Sequence, residues 1–332
     1  MKTVGITYDL KTDYEFKKGD PADANAEFDH PSTIDRISAA IESNGFKTKK
    51  IGNVSSLLDS IGRLDVDIVL NISEGLCGRN RESQVPILLE MAGIPFVGAD
   101  ALTLGMTLDK VMAKKIFIAD KIPTPRFFEV KADPDGNSVL STDHLQYPLF
   151  VKPRFEGSSK GLSESSRVGT PEELKKQVEY VIRTYKQPAL VEEFIRGEEF
   201  TVAIIGNEPP EIMPIVQIEI EGRLKLQDRF YTFGHITSEK LQYVCPARIN
   251  DGLKNKINRL ALKTFESVEC KDLGRIDFRV DEQGNPYVLE INPLPSLSSE
   301  DVFMVVAKAM GITYDDIIGK ILNCAIKRYN LN

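Results

Sequence analysis

Residues 274–293 read GRIDFRVDEQGNPYVLEINP, and the fold turns on how they are read. Arg275, Asp277 and Arg279 alternate with Ile276, Phe278 and Val280, the period of a strand with one polar and one apolar face. Val288, Glu290 and Asn292 alternate in the same way with Leu289 and Ile291, and Gln283-Gly284-Asn285 supplies a turn between the two runs. If Val280 faces Tyr287, then Asp277 faces Glu290 and Arg275 faces Asn292, which gathers the polar set on one face of a hairpin. Two carboxylates and an amide make an oxygen-rich site suited to Mg²⁺, a hard cation. A solvated strand face also alternates, but it favours long, flexible Lys and Glu over this set beside Pro293 and Pro295.

Working outward, Tyr147–Gly161 reads YPLFVKPRFEGSSKG. An apolar strand presents Lys152, and a loop of small residues comes after it with Arg154 and Lys160. A lysine on a strand holds phosphate as a point charge, and a Gly/Ser loop can fold its N–H groups over phosphoryl oxygens. Next, Leu190–Thr201 sets Glu192, Glu193 and Glu199 between apolar residues, where carboxylates can accept bonds from an adenine amino group or from ribose hydroxyls. Taken alone, this third stretch also fits a charged hinge.

The rest of the chain bounds the possibilities. A length of 332 residues suits two or three compact units. The net charge of −7 gives no general attraction to nucleic acid or to anionic membranes, so positive charge must be concentrated locally, as at Lys152–Lys160. Cys77, Cys245, Cys270 and Cys324 form no C-x-x-C pair, and His30, His144 and His235 offer no zinc spacing; free thiols in a reducing compartment are expected. Neither a signal peptide nor a membrane span is apparent, and a cytoplasmic location is expected.

Strands at Thr3–Tyr8, Phe46–Ile51, Ile68–Ile72 and Ile94–Val97 alternate with helices at Ser32–Ser43, Ser55–Gly62 and Val85–Ala92, which implies a doubly wound parallel sheet. That unit is expected to end near Gly98–Gly105. Beyond it come a helix at Leu108–Asp120, strand signals from Phe127 to Val168 with a turn at Pro134-Asp135-Gly136, and a helix at Pro171–Tyr185. Strands at Phe200–Ile205 and Ile212–Glu219, a helix between Asn250 and Val268, the hairpin, and a helical region over Asp301–Tyr329 complete the α/β order.

Two other motifs lead elsewhere. Gly5–Thr12 (GITYDLKT) lacks the second glycine of a phosphate-binding P-loop, and no G-x-G-x-x-G succeeds the first strand. Gly157–Gly161 matches G-x-S-x-G, with Ser159 as nucleophile and His235 as base, but a nucleophile elbow needs a helix directly after it and Leu162–Val168 reads otherwise.

The three main blocks, in this order, resemble the ATP-grasp superfamily and specifically the D-alanine–D-alanine ligase family, over most of the chain. Supporting stretches are Gly93–Gly98 (GIPFVG), Leu104–Lys115 with Asp109-Lys110, and Leu241–Ala247 (LQYVCPA). The resemblance implies an N-terminal unit (1–104), a central unit with a phosphate lid (105–189) and a C-terminal unit with the metal site (190–332). It also implies an ATP-dependent carboxylate–amine ligase acting through an acyl phosphate, with two Mg²⁺ ions (or Mn²⁺), amino-acid or amine substrates, and a homodimer built on the first unit. By the same resemblance Lys110 and Lys152 hold phosphates, and Glu192, Glu193 and Glu199 hold the nucleoside. Gly157, Ser158 and Ser159 form the lid, Asp277, Glu290 and Asn292 ligate the metal, and Arg275 steadies an oxyanion.

The amino-acid pockets depart from that pattern. The acidic residue expected after the first strand falls at Asp9 or in the long loop through Asp29. Asn71–Pro86 lacks the His-Gly start and offers Glu74, Arg81 and Glu82 instead. His235 stands where a lysine is expected, Ser296 comes after Asn292 in an altered run, and Asp301 replaces a serine at the second substrate's carboxylate. An acceptor amine other than D-alanine is expected. The alternatives are a serine hydrolase and a non-catalytic nucleotide-binding regulator; the presence of Lys152, Arg275, Asp277, Glu290 and Asn292 weighs against the second.

Overall fold

The computed structural model describes all residues except 133–144, 237, 239, 300 and 332. The expected turn at Pro134-Asp135-Gly136 lies outside the described residues.

The first 100 residues supply β1 (Thr3–Tyr8), α1 (Pro31–Ser43), β2 (Lys47–Gly52), α2 (Val54–Ser60), β3 (Ile68–Ile72), α3 (Gln84–Met91) and β4 (Phe96–Val97). Their strands form one parallel sheet in the order β2-β1-β3-β4. Helix α1 starts with Pro31 at its first turn and buries Ile34, Ile37, Ala40 and Ile41, one stripe at helical spacing; Gly45 in the left-handed region closes it. Helices α2 and α3 cover the other face, packing Leu57, Val85 and Leu89 on Val69 and Phe96. The sheet is therefore doubly wound.

Next come α4 (Ala101–Leu108) and α5 (Lys110–Ala119). The helix expected over Leu108–Asp120 is α5, and it starts two residues later because Asp109 leaves helical angles and accepts the N–H groups of Val111 and Met112, both at 3.2 Å, as N-cap. Gly105, expected near the end of the first unit, lies inside α4.

A second, antiparallel sheet contains β5 (Phe127–Val130), β6 (Leu149–Pro153), β7 (Arg167–Val168) and β8 (Ala189–Glu193), in the order β5-β8-β6-β7, with α6 (Pro171–Tyr185) on one face. Strand β8 straddles position 189/190.

The third sheet runs β12-β11-β9-β13-β14, with β10 beside β9. Its members are β9 (Gly197–Ile205), β10 (Glu211–Ile212), β11 (Val216–Ile220), β12 (Leu241–Val244), β13 (Leu273–Asp281) and β14 (Pro286–Asn292), accompanied by α7 (Phe233–Ile236) and α8 (Asp251–Ser267). The strand expected over Ile212–Glu219 is thus two strands.

In the hairpin, Arg275 pairs with Asn292 and Asp277 with Glu290, as the alternation requires. Nearer the turn the expected pairing fails: a bulge after Asp277 leaves Leu289 extra, so Val280 pairs with Pro286 rather than Tyr287.

Helices α9 (Val302–Met310) and α10 (Tyr314–Arg328) finish the chain. They return to the first sheet, where Ile317, Ile321 and Phe303 join Val4, Ile6 and Ile37 in one apolar cluster.

Candidate active site

A cavity of about 1000 Å³ opens between the three sheets. The polar face of β13–β14 lines it with Arg275, Asp277, Glu290 and Asn292. Asp277 is the hub of that face. Arg275 donates Nε and Nη2 to it at 3.1 and 3.0 Å, Asn292 donates Nδ2 at 2.9 Å, and Thr201 of β9 donates its hydroxyl at 2.6 Å. With its nitrogen committed to Asp277, Asn292 keeps its amide oxygen for a cation.

Glu290 lies 3.2 Å from Lys110, the first residue of α5. Burial alone would raise its carboxyl, but Lys110, Lys152 and Arg275 outweigh that and bring it down to about 2. It is ionised at any working pH. The donors Asp277, Glu290 and Asn292 are all oxygen, which fits Mg²⁺. Among the described residues no three His, Cys, Asp or Glu cluster as a metal site, so phosphate and water oxygens must complete such an ion's shell.

Deeper in, Lys152 of β6 reaches Glu192 of β8 at 3.0 Å, a cross-strand neighbourhood set by the antiparallel pairing. Lys114 reaches the same carboxylate at 3.3 Å and donates to Thr124 at 2.6 Å. Sequence reasoning missed Lys114, which is fully buried; burial outweighs Glu192 and lowers its ammonium to about 8. Its signal was the i,i+4 spacing from Lys110. Glu199 lines the cavity with Arg279 at 3.1 Å, while the Glu193 carboxylate is taken by Arg126.

The lid turns through Ser158 and Ser159, both left-handed with φ of +44° and +56°. Among the described residues their N–H groups make no hydrogen bond, and both residues line the cavity, so these donors remain for an anion. The chain leaves the lid through a short 3-10 turn at Glu164–Ser166 and then β7, not through the helix a nucleophile elbow needs. His235 sits outside the cavity lining with Nδ1 engaged by Thr232. The hydrolase geometry is absent.

The long acidic loop supplies what the sequence left undivided. Glu27 accepts the N–H of Gly157 at 2.6 Å and pairs with Arg81 at 2.6 Å and Lys160 at 3.0 Å. Asp23 takes the N–H of Gly161 at 2.8 Å. Asp9 is buried behind the cavity and accepts from Ser73 Oγ at 2.6 Å and Gly75 N at 2.9 Å. Arg81 is likewise absent from the lining, holding Phe155 O at 2.6 Å as well as Glu27. Glu74, Ser296 and Asp301 do line the cavity; Asp301 caps α9 through the N–H of Val302. Tyr231 and Tyr243, which the sequence did not single out, line the same end near Arg275.

A family model described as the D-ala D-ala ligase C-terminus matches residues 119–323. The chain is 34% identical over 303 residues to an uncharacterized protein y4sG of Sinorhizobium fredii, covering 89% of this chain and 88% of that protein. It is 32% identical over 295 residues to a D-alanine–D-alanine ligase of Carboxydothermus hydrogenoformans, covering 87% and 91%. Its fold matches a solved D-alanine–D-alanine ligase of Bacillus anthracis complexed with ATP at a TM-score of 0.76, with 22% identity and coverage of 100% and 99%. The extent of these matches and the arrangement of the three sheets lead to one conclusion: the chain belongs to the D-alanine–D-alanine ligase family, the ATP-dependent, C–N-bond-forming ligases of the ATP-grasp superfamily.

Proposed function

We propose that this protein joins a carboxylate to an amine at the expense of ATP, through an acyl phosphate, with release of ADP and phosphate. The observation that carries the reading is the approach of Lys110 and Lys152 to the Glu290 end of the hairpin, opposite a lid with unbonded N–H groups. Cations, carboxylates and free amide donors around one cavity are what phosphoryl transfer requires.

In this reading Lys110, Lys152 and the N–H groups of Ser158 and Ser159 bind the phosphates, and Glu192, Glu193 and Glu199 border the nucleoside. Asp277, Glu290 and Asn292 would hold two Mg²⁺ ions, or Mn²⁺ in their place, which neutralise charge on the transferring phosphoryl group. Arg275, fixed in a fork on Asp277, faces the carbonyl oxygen that becomes negative when the amine attacks. Closure of the lid excludes water from the acyl phosphate.

The substrates are amino acids or amines, and the altered residues Glu74, Ser296 and Asp301 argue against D-alanine as acceptor. An aspartate at the second carboxylate site repels a free carboxylate. A homodimer through the first unit is supported by exposed Leu58, Met91 and Leu102 on α2, α3 and α4, and sedimentation velocity tests it. No helix among the described residues is long and apolar enough to cross a membrane.

The deciding experiment measures ADP release in ATP and Mg²⁺ over D- and L-amino acids, singly and in pairs. Turnover that needs both a carboxylate and an amine, and that Glu290→Gln abolishes, is expected. ADP release indifferent to any added substrate would overturn the reading.

A further inference from the structure

At the end of the cavity formed by the first unit, two carboxylic acids stand without a direct ion pair. Glu74 lies just past β3 and Glu82 lies in the short 3-10 turn Arg81–Ser83; both line the cavity, and Glu82 is only 8% exposed. Among the described residues neither makes a hydrogen bond or an ion pair. Arg81 attracts both from a distance but makes its direct contacts with Glu27 and Phe155 O, and Lys110, which also attracts Glu82, makes its own with Glu156 O and Glu290.

Glu74 is also held in place. Asp9 clamps the residues on either side of it, Ser73 through the hydroxyl and Gly75 through the N–H. Gly75 has φ of +75°, and a Cβ there would come within 2.7 Å of Arg81 O, so the loop admits no other residue without rearrangement. Glu82, buried and facing the void without a hydrogen bond or ion pair, carries a desolvation cost that positive charge on a ligand would offset. Asp29 and Asp301 line the same end of the cavity and extend the acidic wall.

We propose that Glu74 and Glu82 bind a distal ammonium of one substrate, so that this ligase acts on a basic amino acid or a diamine. The proposal rests on the ligase reading and names the substrate class. Asp9 is then a positioning residue that fixes Glu74. Burial, together with the neighbouring acids, raises both carboxyls against the pull of Arg81, Glu82 to about 7, which agrees with a pair that a ligand cation would stabilise.

The test compares D- and L-lysine and putrescine with their uncharged counterparts norleucine and n-pentylamine. ADP release and calorimetric binding in ATP and Mg²⁺ are both read. A preference of about 10- to 100-fold for the charged compound is expected, the worth of one charged hydrogen bond. Glu82→Gln and Glu74→Gln should each erase most of that preference while leaving KM for ATP unchanged. Equal use of norleucine and lysine, or a preference that survives both substitutions, overturns the proposal. Absence of ADP release with every pair would sink the ligase reading instead. Calorimetry still decides the site in that case: lysine or putrescine binding lost in Glu82→Gln upholds it, and no binding to the unsubstituted protein rejects it.

Discussion

Glu27 places its carboxylate 2.6 Å from the amide nitrogen of Gly157, joining residues 130 positions apart across the mouth of the cavity. The same carboxylate neutralises Arg81 and Lys160, so the lid is tied to the first unit by charge as well as by a backbone bond. Removing it leaves a buried guanidinium without its main partner. Glu27→Ala should therefore cost about 2–3 kcal/mol in denaturant unfolding and speed tryptic cleavage after Lys160. Glu27→Gln, which keeps an acceptor for Gly157, should fall between the two; unchanged proteolysis in Glu27→Ala would show that the tie does not hold the lid.

Lys114 and Lys152 share Glu192, and both lysines are buried. Lys114→Ala leaves that carboxylate with one partner and orphans the Thr124 hydroxyl. A loss of about 3 kcal/mol, the lower end for breaking a buried pair, is expected by chemical denaturation because Lys152 remains. A loss below about 1 kcal/mol would mean that Lys152 alone satisfies Glu192.

Asp29 gives a pH dependence whose sign is fixed. Burial, then Asp9 and Asp301, push its carboxyl from 3.8 up to about 7 against the pull of Lys11. The folded chain thus keeps this proton where the unfolded chain has lost it, and stability falls as pH rises across that window. Asp29→Asn removes the slope. Its melting temperature should exceed that of the unsubstituted protein by about 2–5 °C at pH 8, with a smaller gain at pH 5. A constant difference across pH would contradict the assignment.

Gly197 begins β9 with φ of +147°, and a Cβ there would lie 1.9 Å from the carbonyl oxygen of Val280. No rotamer relieves a backbone clash. Gly197→Ala should destabilise by about 3 kcal/mol or more and splay β9 from β13, which circular dichroism melts would register.

How far the sequence speaks depends on whether a residue's partners are near it in the chain. The hairpin is legible because strict alternation and a Gln-Gly-Asn turn leave few registers, although the bulge at Leu289 carries no local signature. Strand β8 is not, since Ala189, Leu190, Val191 and Glu192 are all buried and a strand buried on both faces shows no period. The break at Asp109 hides within one continuous apolar pattern, where an N-capping aspartate looks like any other helical acid. Of the site, Lys152 announces itself by interrupting an apolar strand and the hairpin face by its alternation, whereas Lys110 is picked out only by the family resemblance. Glu27 does not: it is one acid among many in an aperiodic loop, and only its contacts with Gly157, Arg81 and Lys160 set it apart from Asp9.

The return of α10 to the first sheet has a consequence for biosynthesis. Ile34, Ile37 and Ile41 of α1 find part of their cover in Ile317, Ile321 and Leu322, nearly 300 residues later. On the ribosome residues 1–100 cannot seal that face until α10 has emerged, so this unit is completed only after the two sheets that come later in the chain. A nascent chain stopped before Tyr314 would leave that isoleucine stripe open to chaperones, whereas the central sheet could already be closed.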